Sequence, residues 1–207
     1  VMSGLALEVA VNRWLKPAFE AASPYRLEID WRPTTAIMKS IAEGQRADVV
    51  IAIDGSMDKL CADRIVRPET RVCLADSILG VGVREGAPKP DVSTVEAFKR
   101  ALVGARVAYS RAGASAVAIP MGFTGEKVAS GEADIAIQQV SELMSVPGVA
   151  VAGPFPPEVQ TISTFDAAIF ADAANADGAA ALMALLASPA AAKAYGDGGL
   201  VSRLSHS

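Results

Sequence analysis

Residues 48–53 read Asp-Val-Val-Ile-Ala-Ile, an apolar run that follows a single acid. Such a run, without polar alternation, is typical of a parallel β-strand that is covered on both faces. Before it, an apolar stripe over residues 11–22 predicts a helix, residues 27–31 predict a strand, and residues 34–43 predict a helix that Gly44 ends. Residues 1–4 read as the end of a first strand, and a further helix follows the run. The resulting order, strand-helix-strand-helix-strand-helix, predicts an α/β fold.

A second α/β unit follows in the middle of the chain, and a long extended stretch near residues 159–170 leads to two terminal helices. This order predicts two lobes, each a doubly wound, mostly parallel sheet flanked by helices, joined by two hinge crossings. The predicted boundaries are residues 1–77 plus 166–207 for lobe one, 78–165 for lobe two, and 74–81 and 159–168 for the hinge crossings.

Composition excludes several classes of protein. The chain has 207 residues, 51% of them hydrophobic and 20% charged, which predicts a well-packed core rather than disorder. The net charge of -4 and a sequence pI near 5.1 argue against a nucleic-acid partner. The longest uncharged apolar stretch has 15 residues, 178–192, whereas a membrane-spanning helix needs about 20. A soluble protein is therefore predicted.

Residues for covalent or metal chemistry are scarce. The one histidine, His206, lies in a polar tail, and Cys61 and Cys73 are 12 positions apart, too far for a CxxC pair. The two cysteines are typical of small buried hydrophobic residues, and a disulfide stays open for an oxidising compartment. An SxxK pattern at 56–59 lacks the further motifs of serine acyl-enzymes. The sequence therefore predicts no enzyme, no cofactor and no metal site.

Hydroxyl and glycine residues follow two predicted strands at the point where each strand ends. Ser3-Gly4 and Thr34-Thr35 both precede helices. Ligands of open parallel sheets bind at the carboxyl ends of the strands, where helix N-termini present free N–H groups to anions. Taken singly, such residues are ordinary helix caps. Together with the small-residue loop 110–115 they indicate a site for a small anion.

Three motifs carry a resemblance to a known family. Val1-Met2-Ser3-Gly4 before an amphipathic helix, the strand 47–51 after Glu43-Gly44, and Gly131-Glu132-Ala133-Asp134-Ile135-Ala136 resemble the periplasmic molybdate-binding proteins of ABC importers. The resemblance covers nearly the whole chain. It implies the type II periplasmic binding protein fold, capture of a molybdate- or tungstate-like oxyanion in a cleft between two lobes, a membrane ABC permease as partner, and a monomer.

The resemblance also implies the residues that bind the ligand. Those carried over position by position are Ser3, Thr34, Thr35, Ser110, Ser115, Thr124, Gly125 and Gln139. Gln139 stands where molybdate binders place a tyrosine, so an amide replaces a phenol and the identity of the anion stays open. The family also has an additional helix between the positions of Ser115 and Ala116.

Two arginines and the chain start bear on the alternatives. Arg32 and Arg111 flank the predicted cleft, where solvated surface charges are the ordinary interpretation. If either points inward, a carboxylate or another organic anion becomes the favoured ligand, because arginine pairs planar anions bidentately. A ligand-sensing domain of a regulator, or a binder of a small organic anion, is the alternative function on the same fold. Val1-Met2-Ser3-Gly4 reads as the end of a strand, which predicts an N-terminus trimmed of a leader and of part of the first strand. The family resemblance alone implies a periplasmic location.

Overall fold

A computed structural model describes residues 1–110, 118–119 and 123–204. The chain divides into two compact units: unit 1 comprises Val1–Asp76 with Ser163–Ser207, and unit 2 comprises Ser77–Ile162. The strands are β1 (Met2–Ser3), β2 (Asp30–Trp31), β3 (Val49–Ile53), β4 (Val72–Arg84), β5 (Val107–Ser110), β6 (Ala118–Ile119), β7 (Ile135–Gln139), β8 (Val149–Pro154), β9 (Ile162–Ile169) and β10 (Val201–Ser202).

Helices connect most of these strands. The α-helices are α1 (Glu8–Ala10), α2 (Lys16–Ala22), α3 (Thr34–Ala42), α4 (Asp54–Ala62), α5 (Val95–Leu102), α6 (Gly125–Ala129), α7 (Val140–Met144), α8 (Ala176–Leu186) and α9 (Pro189–Asp197). Short 3-10 helices occur at Leu5–Leu7, Pro68–Thr70 and Pro157–Val159, and Val11–Leu15 is π-helical.

The sheet of unit 1 has the strand order β2-β1-β3-β9-β4, and β10 pairs with β4. β1 is parallel to both of its neighbours, whereas β3 and β9 are antiparallel. The apolar run in β3 is buried on both faces: Val49 and Ile51 pack in one hydrophobic cluster, and Val50 and Ala52 pack in another. The predicted α/β class, with helices flanking a mixed and mostly parallel sheet, is confirmed.

The sheet of unit 2 has the order β4-β7-β5-β6, and β8 also pairs with β4. β5 is parallel to β6 and β7, and β4 runs antiparallel to β7. Successive residues of β7 face opposite sides, with Ile135 in the cluster that contains Phe98 and Ala136 in the cluster that contains Leu143. Consequently the side chains of Gln138 and Gln139 also point to opposite faces of this sheet.

Local sequence signals account for several helix boundaries. Gly44 has a φ of +92°, a left-handed conformation that ends α3 as predicted. Ser188 caps α9 by accepting a hydrogen bond from the Ala191 N–H over 3.2 Å. The predicted helix over residues 11–22 differs in detail, because its first half is π-helical.

The prediction that both cysteines are buried is wrong, because Cys61 is only partly buried and Cys73 is exposed. Cys61 and Cys73 are both free, and Cys73 is exposed rather than buried. Partial burial raises the pKa of the Cys73 thiol, and the Asp166 carboxylate raises it further.

Within the described ranges, no helix is both long enough and apolar enough to cross a membrane.

Candidate functional site

The carboxyl ends of three parallel strands meet at one edge of unit 1. Ser3 pairs with Trp31 of β2 and with Ile51 of β3. The backbone N–H of Arg32 donates to the Ser3 carbonyl over 3.1 Å, so the loop that leads to α3 starts beside Ser3. The Ser3 side chain is fully buried, and its hydroxyl donates to the Gly4 carbonyl over 3.2 Å. This edge is where open parallel sheets hold their ligands.

The N-terminus of α3 has no side-chain cap. Its N-cap residue is Pro33, whose carbonyl accepts hydrogen bonds from Ala36 and Ile37. The N–H groups of Thr34 and Thr35 have no acceptor among the described residues. Thr34 is buried and Thr35 is exposed. This helix end therefore offers two free N–H groups and a partial positive charge, which suit an anion.

The neighbouring helix end differs from α3 in this respect. α4 begins at Asp54, directly after β3, and the Asp54 carboxylate accepts a hydrogen bond from the Gly55 N–H over 2.7 Å. A negative side chain already occupies the position where an anion would bind.

Arg32 stands beside the start of α3 in a half-exposed ion pair. Its Nε and Nη2 atoms contact the two oxygens of the Asp30 carboxylate at 2.7 and 2.6 Å, and Nη1 donates to the Ser40 hydroxyl at 2.7 Å. A guanidinium has five N–H donors, so two remain for another partner. Arg32 is thus held in place and keeps donors for a planar anion.

A second arginine of unit 1 was not singled out from the sequence. Arg71 contacts the buried Asp166 carboxylate through Nε at 2.6 Å and through Nη2 at 2.5 Å, and it also pairs with Asp58. Burial lowers the pKa of Arg71, but the hydrogen bonds from Asp58 and Asp166 outweigh it and hold the pKa above the usual value. The pairing joins the segment before β4 to β9, which no local sequence pattern reveals.

In unit 2, Thr124 and Gln138 form a closed polar network. The N–H and the hydroxyl of Thr124 both donate to Gln138 Oε1, at 2.7 and 2.8 Å, and Gln138 Nε2 donates to Glu142. Thr124 is fully buried. A Cβ on Gly125 would lie 3.2 Å from the side chains of Val146 and Val149. Both predicted site residues thus have structural roles that use their polar groups or their small size.

Gln139 ends β7, and its Oε1 atom is buried with no partner among the described residues. The hydroxyls of Ser77 and Ser141 are likewise buried and without a described partner. Each buried polar atom left without a hydrogen bond costs about 1–3 kcal/mol. The sequence does not show which polar side chains are left in this state.

The predicted site residues therefore fall into two groups. Ser3, Thr34 and Thr35 share one edge of unit 1, while Thr124, Gly125 and Gln139 belong to unit 2. The backbone of Ser110 ends β5, next to β7. The side chain of Ser110, and Ser115 and Arg111 entirely, lie outside the described residues.

Comparison with known proteins agrees with this architecture. The family model for bacterial extracellular solute-binding proteins matches residues 1–124 and 114–201. The chain belongs to this family. The solute-binding proteins of ABC-type transporters pair a small ligand with a membrane permease, so the predicted class of function is confirmed at that level.

One curated relative is named as an enzyme rather than as a solute-binding protein. An aconitate isomerase from a Pseudomonas species is 36% identical over 214 aligned residues, covering 91% of this chain and 82% of the relative. Aconitate is an organic tricarboxylate, whereas molybdate is an inorganic oxyanion.

Solved structures share the fold of this solute-binding protein. The periplasmic molybdate-binding protein of Azotobacter vinelandii has a TM-score of 0.75 and 16% identity, covering 97% of both chains. PEB3 of Campylobacter jejuni, solved with bound L-phospholactate, has a TM-score of 0.71 and 14% identity, again covering 97% of both chains. At these identities the likeness establishes the type II periplasmic binding protein fold.

Proposed function

We propose that this solute-binding protein captures a small polycarboxylate anion of the aconitate class. The observation that carries the proposal is the 36% identity with an aconitate isomerase over nearly the whole chain. Among the structural relatives, one binds an inorganic oxyanion and another an organic phosphate-bearing acid. The fold alone therefore leaves the ligand open, and the sequence relative favours a carboxylate.

The edge of unit 1 suits such an anion. The free N–H groups of Thr34 and Thr35 lie two and three residues after Arg32, whose guanidinium keeps two unused donors. Neutral donors together with an arginine match a planar carboxylate, which accepts two parallel N–H bonds. The Ser3 hydroxyl is a further donor if it rotates away from the Gly4 carbonyl.

Binding to the folded state raises its stability, so a thermal-shift screen tests the ligand class. At a concentration of 100 times Kd, the gain is about 2.7 kcal/mol. We expect cis-aconitate, trans-aconitate or citrate to raise Tm, while molybdate, tungstate and sulfate at the same concentration leave it unchanged. Stabilisation by molybdate without any effect of the carboxylates would instead support the oxyanion function.

A second candidate function is catalytic, and the name of the relative favours it. Isomerising aconitate by a proton shift requires a base that takes a proton from the methylene carbon and returns one after the double bond has moved. Glu8 lies one turn into the helical segment that follows Ser3, and no described residue pairs with its carboxylate. Burial raises the pKa of Glu8, as suits a general base.

The two candidates differ in turnover. Incubating the purified protein with cis-aconitate and recording proton NMR spectra over time measures any formation of the trans isomer. Binding without conversion identifies a transport protein. Catalytic conversion that Glu8→Gln abolishes, while aconitate still binds, identifies an isomerase.

Location, partner and assembly extend the same proposal. We infer a periplasmic monomer that delivers its ligand to a membrane ABC permease. Fractionation of cells that express the intact gene tests the location. Light scattering at the 21.3 kDa expected for this chain tests the monomer.

A further inference from the structure

A cavity of about 400 Å³ opens on unit 2, away from the carboxyl ends of β5 and β7. Arg84, where β4 ends, and Ile135, where β7 begins, both line it. Because β4 runs antiparallel to β7, these two positions lie at the same end of the sheet. Gln139, at the other end of β7, is about 13 Å from Ile135 along the strand. The cavity is therefore separate from the edge where ligands of parallel strands bind.

The sequence motif of residues 131–136 forms one wall of this cavity. The motif carries part of the family resemblance, and the proposed function does not use it. Gly131, Ala133 and Asp134 line the cavity together with Ile135. Gly131 has a φ of +80°, and a Cβ on it would lie 3.0 Å from Nη2 of Arg84. The missing side chain at Gly131 thus leaves space for the guanidinium beside the cavity.

Arg84 brings an unpaired positive charge to the cavity. Within the described ranges its guanidinium makes one hydrogen bond, from Nη2 to the Ala129 carbonyl over 3.3 Å, and no ion pair. Four of its five N–H donors are therefore free. Arg106 also lines the cavity, but its Nε and Nη2 atoms bind the Asp134 carboxylate at 3.1 and 2.7 Å. Asp134 balances the charge of Arg106, and Arg84 leaves the lining with one net positive charge.

The rest of the lining is mostly apolar. Val83, Val128 and Ile135 are buried side chains of the hydrophobic core of unit 2. Pro88 and Pro90, in the loop that follows β4, add their rings to the wall. Cavities that bind small molecules typically measure about 300–1,000 Å³ and combine apolar walls with a few polar groups. This cavity has that size and that composition.

We propose that this cavity binds a small monocarboxylate, whose carboxylate pairs with Arg84 and whose apolar chain covers the apolar wall. The two carboxylate oxygens accept parallel N–H bonds from the guanidinium, a pairing that a neutral ligand does not reproduce. The chain gains affinity because it and the wall are removed from water together. The proposal does not rest on the proposed function, since the cavity shares no residue with the edge of unit 1.

NMR titration of the ¹⁵N-labelled protein at physiological salt tests the proposal, with acetate, butyrate, hexanoate and neutral butyramide as probes. We expect saturable shifts of the Gly131, Ala133 and Asp134 amide signals, and a Kd that falls about threefold to fourfold with each added methylene. Arg84→Gln should weaken butyrate binding at least about tenfold, and Arg84→Lys should weaken it less. The matched control is Arg100→Gln, because Arg100 is exposed on α5 and does not line the cavity; it should leave Kd unchanged.

Several results would overturn the proposal. Carboxylates that leave the signals of residues 131–134 in place do not bind in this cavity. Equal loss of affinity in Arg84→Gln and Arg100→Gln would show only a general attraction to surface cations. Butyramide binding as tightly as butyrate would remove the role of Arg84, and equal Kd values for acetate and hexanoate would remove the role of the apolar wall. Arg84 is exposed, so Arg84→Gln should keep the Tm of the parent protein. If its Tm falls, the chain-length series on the parent protein still decides.

Discussion

Thr124 and Gln138 are joined by two hydrogen bonds that converge on a single atom. The backbone N–H and the hydroxyl of Thr124 reach Gln138 Oε1 at 2.7 and 2.8 Å. The pair fixes the start of α6 against β7 from within unit 2. Its groups point inward and are engaged within unit 2.

Replacing Thr124 by valine tests this supporting role. Thr124→Val keeps the shape of the side chain but leaves Gln138 Oε1 with one donor fewer, at a cost of about 1–3 kcal/mol. Urea denaturation should show the loss as a lower midpoint with an unchanged slope. The exposed Thr161→Val is the matched control and should change stability by less than about 0.5 kcal/mol.

Gly4 is required by its close approach to an aromatic ring. A Cβ at this position would stand 2.6 Å from Cε1 of Phe165, whereas a Cβ on Gly55 would meet nothing within 4 Å. Gly4→Ala should therefore cost about 1–3 kcal/mol through overpacking. Gly55→Ala, in α4, should stabilise the protein by about 0.4–1 kcal/mol. Equal effects of the two substitutions on Tm would contradict the packing described here.

The ion pair between Arg71 and Asp166 is expected to matter more than exposed pairs. Arg71→Met leaves the Asp166 carboxylate, whose side chain is 3% exposed, without its cation, and should cost about 3 kcal/mol. Lys193→Met removes an exposed pair with Asp197 within α9 and should cost no more than about 0.5 kcal/mol. Chemical denaturation of both variants measures the difference.

We expect the free energy of unfolding to fall as pH rises through the pKa of Glu8. Burial raises the pKa of Glu8 in the folded state above its unfolded value, so the folded state binds the proton more tightly. This group therefore opposes folding at neutral pH, and its penalty disappears as pH falls below both pKa values. Glu8→Gln should raise Tm at pH 7 and match the parent protein near pH 4. A variant with lower Tm at pH 7 would show that the charged form is stabilised instead.

The fold was predictable where the signal is local. The apolar run of residues 48–53 gave β3 almost to the residue, because burial on both faces leaves no polar position in the strand. The first half of β4 has no signal in the sequence, because Cys73 and Asp76 interrupt the apolar pattern and the strand exists through pairing with β9 and β10. α7 was also missed, because five residues are too few to show a helical period.

The candidate site shows the same limit. Ser3 and Thr34 could be proposed from their places after strands, because the carboxyl edge of a parallel sheet follows from element order. The burial of Ser77 and Ser141 and the pairing of Arg71 with Asp166 could not be predicted in this way. They arise only when segments far apart in the chain pack against each other.

The most direct test of the polycarboxylate proposal is calorimetric titration of the purified protein with cis-aconitate, trans-aconitate and molybdate under identical conditions. Saturable 1:1 binding of at least one aconitate isomer is expected. No heat of binding is expected for molybdate. Saturable binding of molybdate, with none for either aconitate isomer, would contradict the proposal.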